Sequence, residues 1–287
     1  MTARPGRLVE RVRRKRAWMR RQRHGLAQYP SRYLNWMSFA NAGMLHAGHR
    51  FLIDAAITQL PTDDPVLEVG AFAGLSTNVL VYFLTKHGRP NALYTTDPWV
   101  FEGEGSETLP EAQIPFEDYR RLVQEQFERN VRFWSGSRLP HAYVLTSDEF
   151  FAAWREGGIR TDVFGREAPF GGPLSFCFVD GDHSPEQVRR DFEHVDELLV
   201  PGGFVLFDDS DEFGAFPQVT EVVREAIRGR GYELVGQNPH HLLRRRLGGA
   251  VHQDAWALPA RPSAMTGRTA RFLLRRPFRK PGASRTR

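Results

Sequence analysis

Cysteine is almost missing from this 287-residue chain. Cys177 stands alone, so no internal disulfide can form and a zinc site built from several thiolates is ruled out. A reducing, cytoplasmic setting fits that usage. Lysine is nearly missing too: of 39 basic residues only Lys15, Lys86 and Lys280 are lysines. The whole chain shares the bias, which marks it as genomic base composition rather than chemistry. No apolar run approaches the roughly 20 residues that cross a bilayer. The arginine-rich first 25 residues lack the apolar stretch of a secretory signal, so none is expected. Hydrophobic residues at 41% and charged residues at 25% exclude a wholly disordered or collagenous chain. The length suits one large domain with appendages, or two small ones, with a sizeable core either way.

Acid is what the two ends lack. Residues 1–24 hold ten Arg/Lys against Glu10, and residues 261–287 hold nine against none, so each end carries +9. The formal charge of the whole chain is only +5, which leaves 20 bases and 33 acids, or −13, for residues 25–260. The shifts divide the chain into a basic arm (1–27), helices at 28–60, a body at 61–247 and a basic tail (248–287). Apolar residues among the arginines, such as Trp18 and Phe272, permit an interfacial helix on a membrane surface, and nucleic acid is another anionic partner. The alternative is that the arms are solvated termini resting on the protein's own acidic body. A homo-oligomer stays open.

Between the arms, strand-like and helix-like segments alternate, as in an α/β domain with a parallel sheet. Strands are expected at 65–70, 92–96, 141–145, 174–179 and 204–209, with a hairpin after Gly231. Helices are expected at 74–87, 116–134, after Ser147 as N-cap, from Ser184-Pro185 to Leu199, and at about 219–228. LSFCFV, apolar on both faces, belongs at a sheet centre, where Cys177 is a core residue. The acidic loop with Glu102, Glu104, Glu107, Glu111, Glu117 and Asp118 is either a lid over the site or a solvated connection. His46 and His49, one helical turn apart with no third ligand in view, read as surface residues.

The first strand ends in Glu68-Val-Gly70-Ala71-Phe72-Ala-Gly74-Leu-Ser76. A glycine turn between strand and helix lets backbone approach a ligand closely. The carboxylate of Glu68 suits a cationic or amine-bearing ligand better than a diphosphate. Asp97 closes the second strand, 23 residues past Gly74, where an acid can bind a ribose diol. Ser147-Asp148 follows the third strand and Asp180 closes the fourth. Acids therefore gather at the sheet edge where open α/β folds bind ligands.

VLEVGAFAGLST resembles the first motif of the class I S-adenosylmethionine (SAM)-dependent methyltransferases, with Phe72 where many members have a second glycine. FVDGDHSPEQVRRDFEHVDELLVPGGFVLFDDS is similar to the bacterial macrocin O-methyltransferase-like branch of the metal-dependent O-methyltransferases, which the catechol type also represents. The resemblance covers roughly residues 60–246. It implies a Rossmann-like, seven-stranded, mostly parallel sheet with an antiparallel last strand and helices on both faces. It also implies a SAM site in which Gly70, Ala71, Gly74 and Ser76 line the methionine end and Glu68 supports their loop. Asp97 would bind the ribose, Ser147 and Asp148 would lie by the adenine, and Asp180 would close the site.

Asp180, Asp182 and His183 leave one strand end, and Asp208 and Asp209 leave the next, about 4.8 Å away across a parallel pair. Carboxylates so placed repel unless a cation or protons intervene, and an all-oxygen set suits Mg²⁺, Ca²⁺ or Mn²⁺. By the resemblance, Asp180, Asp208 and Asp209 would ligate Mg²⁺, with Asp209 where the relatives have asparagine. His183 is placed to take a proton from an acceptor hydroxyl, with Asp180 as the second catalytic residue. The expected reaction is O-methylation of a small-molecule or glycan hydroxyl. Two other readings stay open: Asp180-Gly-Asp182 as the metal-diphosphate motif of a nucleotide-sugar glycosyltransferase, and a non-catalytic scaffold that binds anionic partners through its arms.

Overall fold

Three four- to six-residue runs with every side chain buried form the centre of the sheet: β1 (Val66–Val69), β2 (Leu93–Thr96) and β6 (Leu174–Val179). The computed structural model describes residues 29–101, 108–211 and 216–247. The basic arm at 1–27, the tail at 248–287 and residues 102–107 of the acidic loop, read above as a lid or a solvated connection, lie outside them.

Among the described residues, α1 (Arg32–Ala40) and α2 (His49–Thr58) precede β1; α3 (Leu75–Lys86) and β2 follow it. Then come α4 (Phe116–Ser135), β3 (His141–Tyr143) and α5 (Ser147–Glu156). β4 (Gly158–Thr161) and β5 (Glu167–Phe170) lead into β6 and α6 (Pro185–Leu198). The chain closes with β7 (Leu199–Phe207), α7 (Pro217–Gly229), β8 (Tyr232–Gln237) and β9 (His241–Arg245). Seven strands form one sheet in the order β3-β2-β1-β6-β7-β9-β8. Only β9 runs against its neighbours β7 and β8. The expected α/β sheet with one reversed strand is therefore present.

Strand alternation divides the core between the two faces. Phe176 and Phe178 of β6 join Leu34, Met37, Leu52, Ile53, Val79 and Phe83 beneath α1, α2 and α3. Cys177 and Val179 turn the other way, onto Phe150, Trp154, Phe192 and Val223 of α5, α6 and α7. Burial of this kind contributes about 25 cal/mol per Å² of apolar surface. α1 and α2 are thus part of the same core as the sheet.

Register positions the functional edge. Thr96, Val69, Val179 and Phe207 are the last partners of β2, β1, β6 and β7 and lie side by side. The ladder runs one residue further: the N–H groups of Gly70, Asp97, Asp180 and Asp208 donate to Thr96, Tyr143, Val69 and Val179. The residues just past four adjacent strands therefore stand on one line.

Two local readings need correction. Thr146, not Ser147, is the N-cap of α5: its hydroxyl accepts the Glu149 N–H while the Glu149 carboxylate reaches back to the Thr146 N–H. Ser147 is the first helical residue. The antiparallel ladder β4–β5, separate from the main sheet, was not expected, because its strands are short and largely exposed.

Candidate active site

The glycine loop between β1 and α3 is fixed by its backbone. Gly70 adopts φ +87°, and a Cβ there would lie 1.8 Å from the Asp180 carbonyl oxygen. Only glycine lets the ends of β1 and β6 approach so closely. Gly74, at φ +85°, would carry its Cβ into Val131 and Phe127 of α4. The Ala73 carbonyl accepts the side-chain amides of Asn41 (2.8 Å) and Asn130 (2.9 Å), so residues from α4 and from the chain just after α1 hold the loop together.

Beneath the loop, Glu68 is fully buried. Its Oε2 accepts the hydroxyls of Thr77 (2.5 Å) and Thr95 (2.8 Å), while Oε1 has no hydrogen-bond partner. Burial pushes its carboxyl up to about 7, against the hydroxyls, Ser76 among them, that favour the charged form. Asp97 supports the loop from the other side: its Oδ2 accepts the N–H groups of Ala71 and Phe72, each at 2.8 Å, and its Oδ1 that of Trp99 at 2.7 Å. Burial raises the Asp97 carboxyl in spite of these three donors.

At the start of α5, Ser147 and Asp148 meet α6. The Gln187 amide donates to Ser147 Oγ (2.9 Å) and to Asp191 Oδ1 (2.8 Å), and Asp148 lies 3.1 Å from His194 and 3.2 Å from Arg190. Asp148 is thus tied into a polar cluster on α6. Asp191, buried with Oδ2 unpartnered, is a site-edge acid that the sequence did not single out.

The expected convergence of Asp180 and Asp208 is present, but the company they keep differs from expectation. Burial and the adjacent Asp208 carboxylate raise the Asp180 carboxyl well above the usual range. Burial alone would raise Asp208 too, yet His49 and His240 beside it hold it below the usual carboxylate range. His49 is not a surface residue, as its helical spacing suggested. It is completely buried, with Nε2 2.7 Å from His240 Nδ1 and 3.4 Å from Asp208 Oδ1, and burial pushes it down to about 4. His46 is half-buried beside them, its ring 5.8 Å from that of His240. Asp209 does not join this group on equal terms. At φ +50° it turns Oδ2 toward His183 Nε2, 3.1 Å away though not aligned as a hydrogen bond, while His183 stacks on Phe216 with ring centres 4.1 Å apart. Asp182 is exposed and accepts the Ser184 N–H at 2.7 Å ahead of α6. It does not act as a partner of Asp180.

His49 and His240 were missed because they are 191 residues apart and neither lies in a recognisable motif. The Asn238-Pro-His-His turn was the one available signal.

Several solved structures are similar in fold. The SAM-bound O-methyltransferase TomG of Streptomyces achromogenes is 17% identical, with a TM-score of 0.49, and the alignment covers 78% of this chain and 93% of that one. The O-methyltransferase NovP is 16% identical, TM-score 0.48, covering 75% and 98%. Among curated proteins, the uncharacterized protein R132 of Acanthamoeba polyphaga mimivirus is 32% identical over 54 residues, 19% of this chain. The chain spans about a quarter of that relative's length. The methyltransferase domain family matches over residues 67–210, half of the chain, running from Leu67 in β1 to Ser210 just past Asp208-Asp209. By that match, the chain belongs to the methyltransferase domain family.

Proposed function

We propose that the protein transfers a methyl group from SAM to a hydroxyl oxygen of a small-molecule or glycan acceptor. The observation that carries this reading is the single line formed by Gly70, Asp97, Asp180 and Asp208 at the ends of four adjacent strands. Four carboxylates, counting Glu68, stand at or beneath that edge, and a ligand with a sulfonium and an ammonium group offsets their mutual repulsion. Glu68, Gly70, Ala71, Gly74 and Ser76 take the methionine end, Asp97 the ribose, and Ser147 with Asp148 the adenine. SAM supplies an electrophilic methyl group, and the chain's part is to hold the acceptor oxygen in line with it.

His183 is the residue we assign to the acceptor's proton. Its Nε2 lies 3.1 Å from Asp209 Oδ2, and we assign the ring to take the proton that the acceptor hydroxyl gives up. Phe216 restrains the ring. Asp180, beside Asp208, is the second residue we assign to the reaction.

An all-oxygen Mg²⁺ site on Asp180, Asp208 and Asp209 does not fit this arrangement. Asp208 Oδ1 faces two imidazole nitrogens, and Asp209 faces His183. The nucleotide-sugar reading of Asp180-Gly-Asp182 loses its basis in the family membership and in the separate engagements of the two acids.

The catalytic unit we assign to residues 28–247, with the 1–27 and 248–287 arms as appendages that offset the acidic body. No described helix is long and apolar enough to cross a membrane, and lone, buried Cys177 suits the cytoplasm we assign. Calorimetry of the full chain with SAM, a nucleotide sugar and an anionic polymer tests the function: SAM alone should bind. Silence with SAM overturns the reading.

A further inference from the structure

His49 Nε2, His240 Nδ1 and Asp208 Oδ1 converge on one point from three elements: the start of α2, the β8–β9 turn and the end of β7. The two nitrogens are 2.7 Å apart, His49 Nε2 lies 3.4 Å from the oxygen, and His240 Nδ1 touches that oxygen more closely still. All three residues are buried, His240 and Asp208 at 6% and 7% exposure and His49 at zero. His49 Nδ1 is buried without a partner, which leaves Nε2 as the ring's only engaged nitrogen.

Hydrogen bonds alone set like against like here. A neutral imidazole carries one N–H. If His240 carries its proton on Nδ1, the N–H serves Asp208 and His49, but it then faces the Asp209 N–H, whose nitrogen is 3.2 Å away. If His49 carries its proton on Nε2 and donates to His240, then His240 Nδ1 and Asp208 Oδ1 meet lone pair to lone pair. A cation removes the conflict by taking all three lone pairs, and the Asp209 N–H keeps Asp208 Oδ1 at 2.7 Å.

We propose that His49, Asp208 and His240 form a two-histidine, one-carboxylate site for a first-row divalent transition cation of the zinc, iron or manganese class. Imidazole nitrogen selects such ions, whereas Mg²⁺ asks for oxygen. With bonds of about 2.0–2.1 Å, tetrahedral ligand atoms stand roughly 3.3 Å apart. The 3.4 Å edge already matches, and the two shorter edges open by side-chain movement. A cation held by these three residues would supply Lewis acidity toward an oxygen of the acceptor. The site rests on the methyl-transfer reading for its role, not for its ligands.

The test uses the full chain after chelator treatment, titrated calorimetrically with Zn²⁺, Mn²⁺ and Mg²⁺ alone, and loaded with one equivalent of Cu²⁺ for electron paramagnetic resonance. One equivalent of Zn²⁺ should bind at least about 100-fold more tightly than Mg²⁺, and the Cu²⁺ spectrum should carry hyperfine coupling to two imidazole nitrogens. His240→Gln should weaken Zn²⁺ by about 10- to 100-fold or more and remove one nitrogen coupling. Because a buried His49 variant could lose the fold, the spectrum of the unaltered chain carries the test for that ligand. Tighter Mg²⁺ than Zn²⁺, or a spectrum without two nitrogens, overturns the site and leaves methyl transfer intact. SAM binding is measured on the same sample: its failure beside an intact two-nitrogen signal overturns the proposed function and leaves the metal site standing.

Discussion

Gly70 and Asp180 are packed so closely that a Cβ on the first would sit 1.8 Å from the carbonyl oxygen of the second. Gly70 is therefore the contact that sets the distance between the glycine loop and the acid cluster. Gly70→Ala adds a steric clash to a φ of +87°, which L-residues rarely adopt. It should cost about 3 kcal/mol or more and abolish SAM binding. Chemical denaturation and calorimetry measure the two effects, and wild-type stability in this variant would show that the contact is not made.

Glu68 should make stability fall as the pH rises. Its carboxyl is about 7 in the folded protein against 4.5 in the free group, so between those values the unfolded chain has lost a proton that the folded chain keeps. Stability conferred by the protonated form is complete below pH 4.5, declines up to pH 7 and is then gone. The shift corresponds to about 3 kcal/mol. Glu68→Gln should erase this slope, so its stability relative to the parent should grow by that amount from pH 4.5 to 7. Denaturant midpoints across that range check it; parallel curves would place the Glu68 proton elsewhere.

Asp180→Asn and Asp208→Asn should lower kcat by about 100-fold or more while leaving the SAM dissociation constant within about threefold. The carboxylates lie past β6 and β7, whereas the loop that we assign to the methionine end follows β1. Single-turnover rates with bound SAM separate the two quantities. Full turnover by either variant contradicts a role in the reaction.

Thr146→Ala should cost about 1 kcal/mol through loss of the capping box on α5, and SAM affinity should stay as it is. Thermal melting with and without SAM distinguishes this from a change in the site. A loss of affinity would mean that the cap also sets the position of Ser147 and Asp148.

Much of this was legible in the sequence because β1, β2 and β6 are short runs rich in apolar and β-branched residues, each followed at once by glycine or acid. A strand buried on both faces needs such a run, and the turn after it needs such a residue. The hairpin β4–β5 was not legible, since Glu167-Ala-Pro-Phe170 carries one proline and alternates over only four residues. The cap of α5 could have been found: in Thr146-Ser-Asp-Glu149 only Thr146 stands three residues before the glutamate. His49 could not. In HRFLIDAAIT a histidine at the start of an amphipathic helix reads as a polar end, and its burial is decided by β7 and by a turn 191 residues later.

That separation has a consequence for how the protein is made. During synthesis the glycine loop and the strand ends that carry Asp180 and Asp208 leave the ribosome before residue 240, so the residues we assign to SAM can all be present on an incomplete chain. The His49–Asp208–His240 group cannot, because its last member arrives with the final hairpin. A chain that stops short of β9 lacks this centre, and a metal bound there would certify that the two ends of the described fold have met.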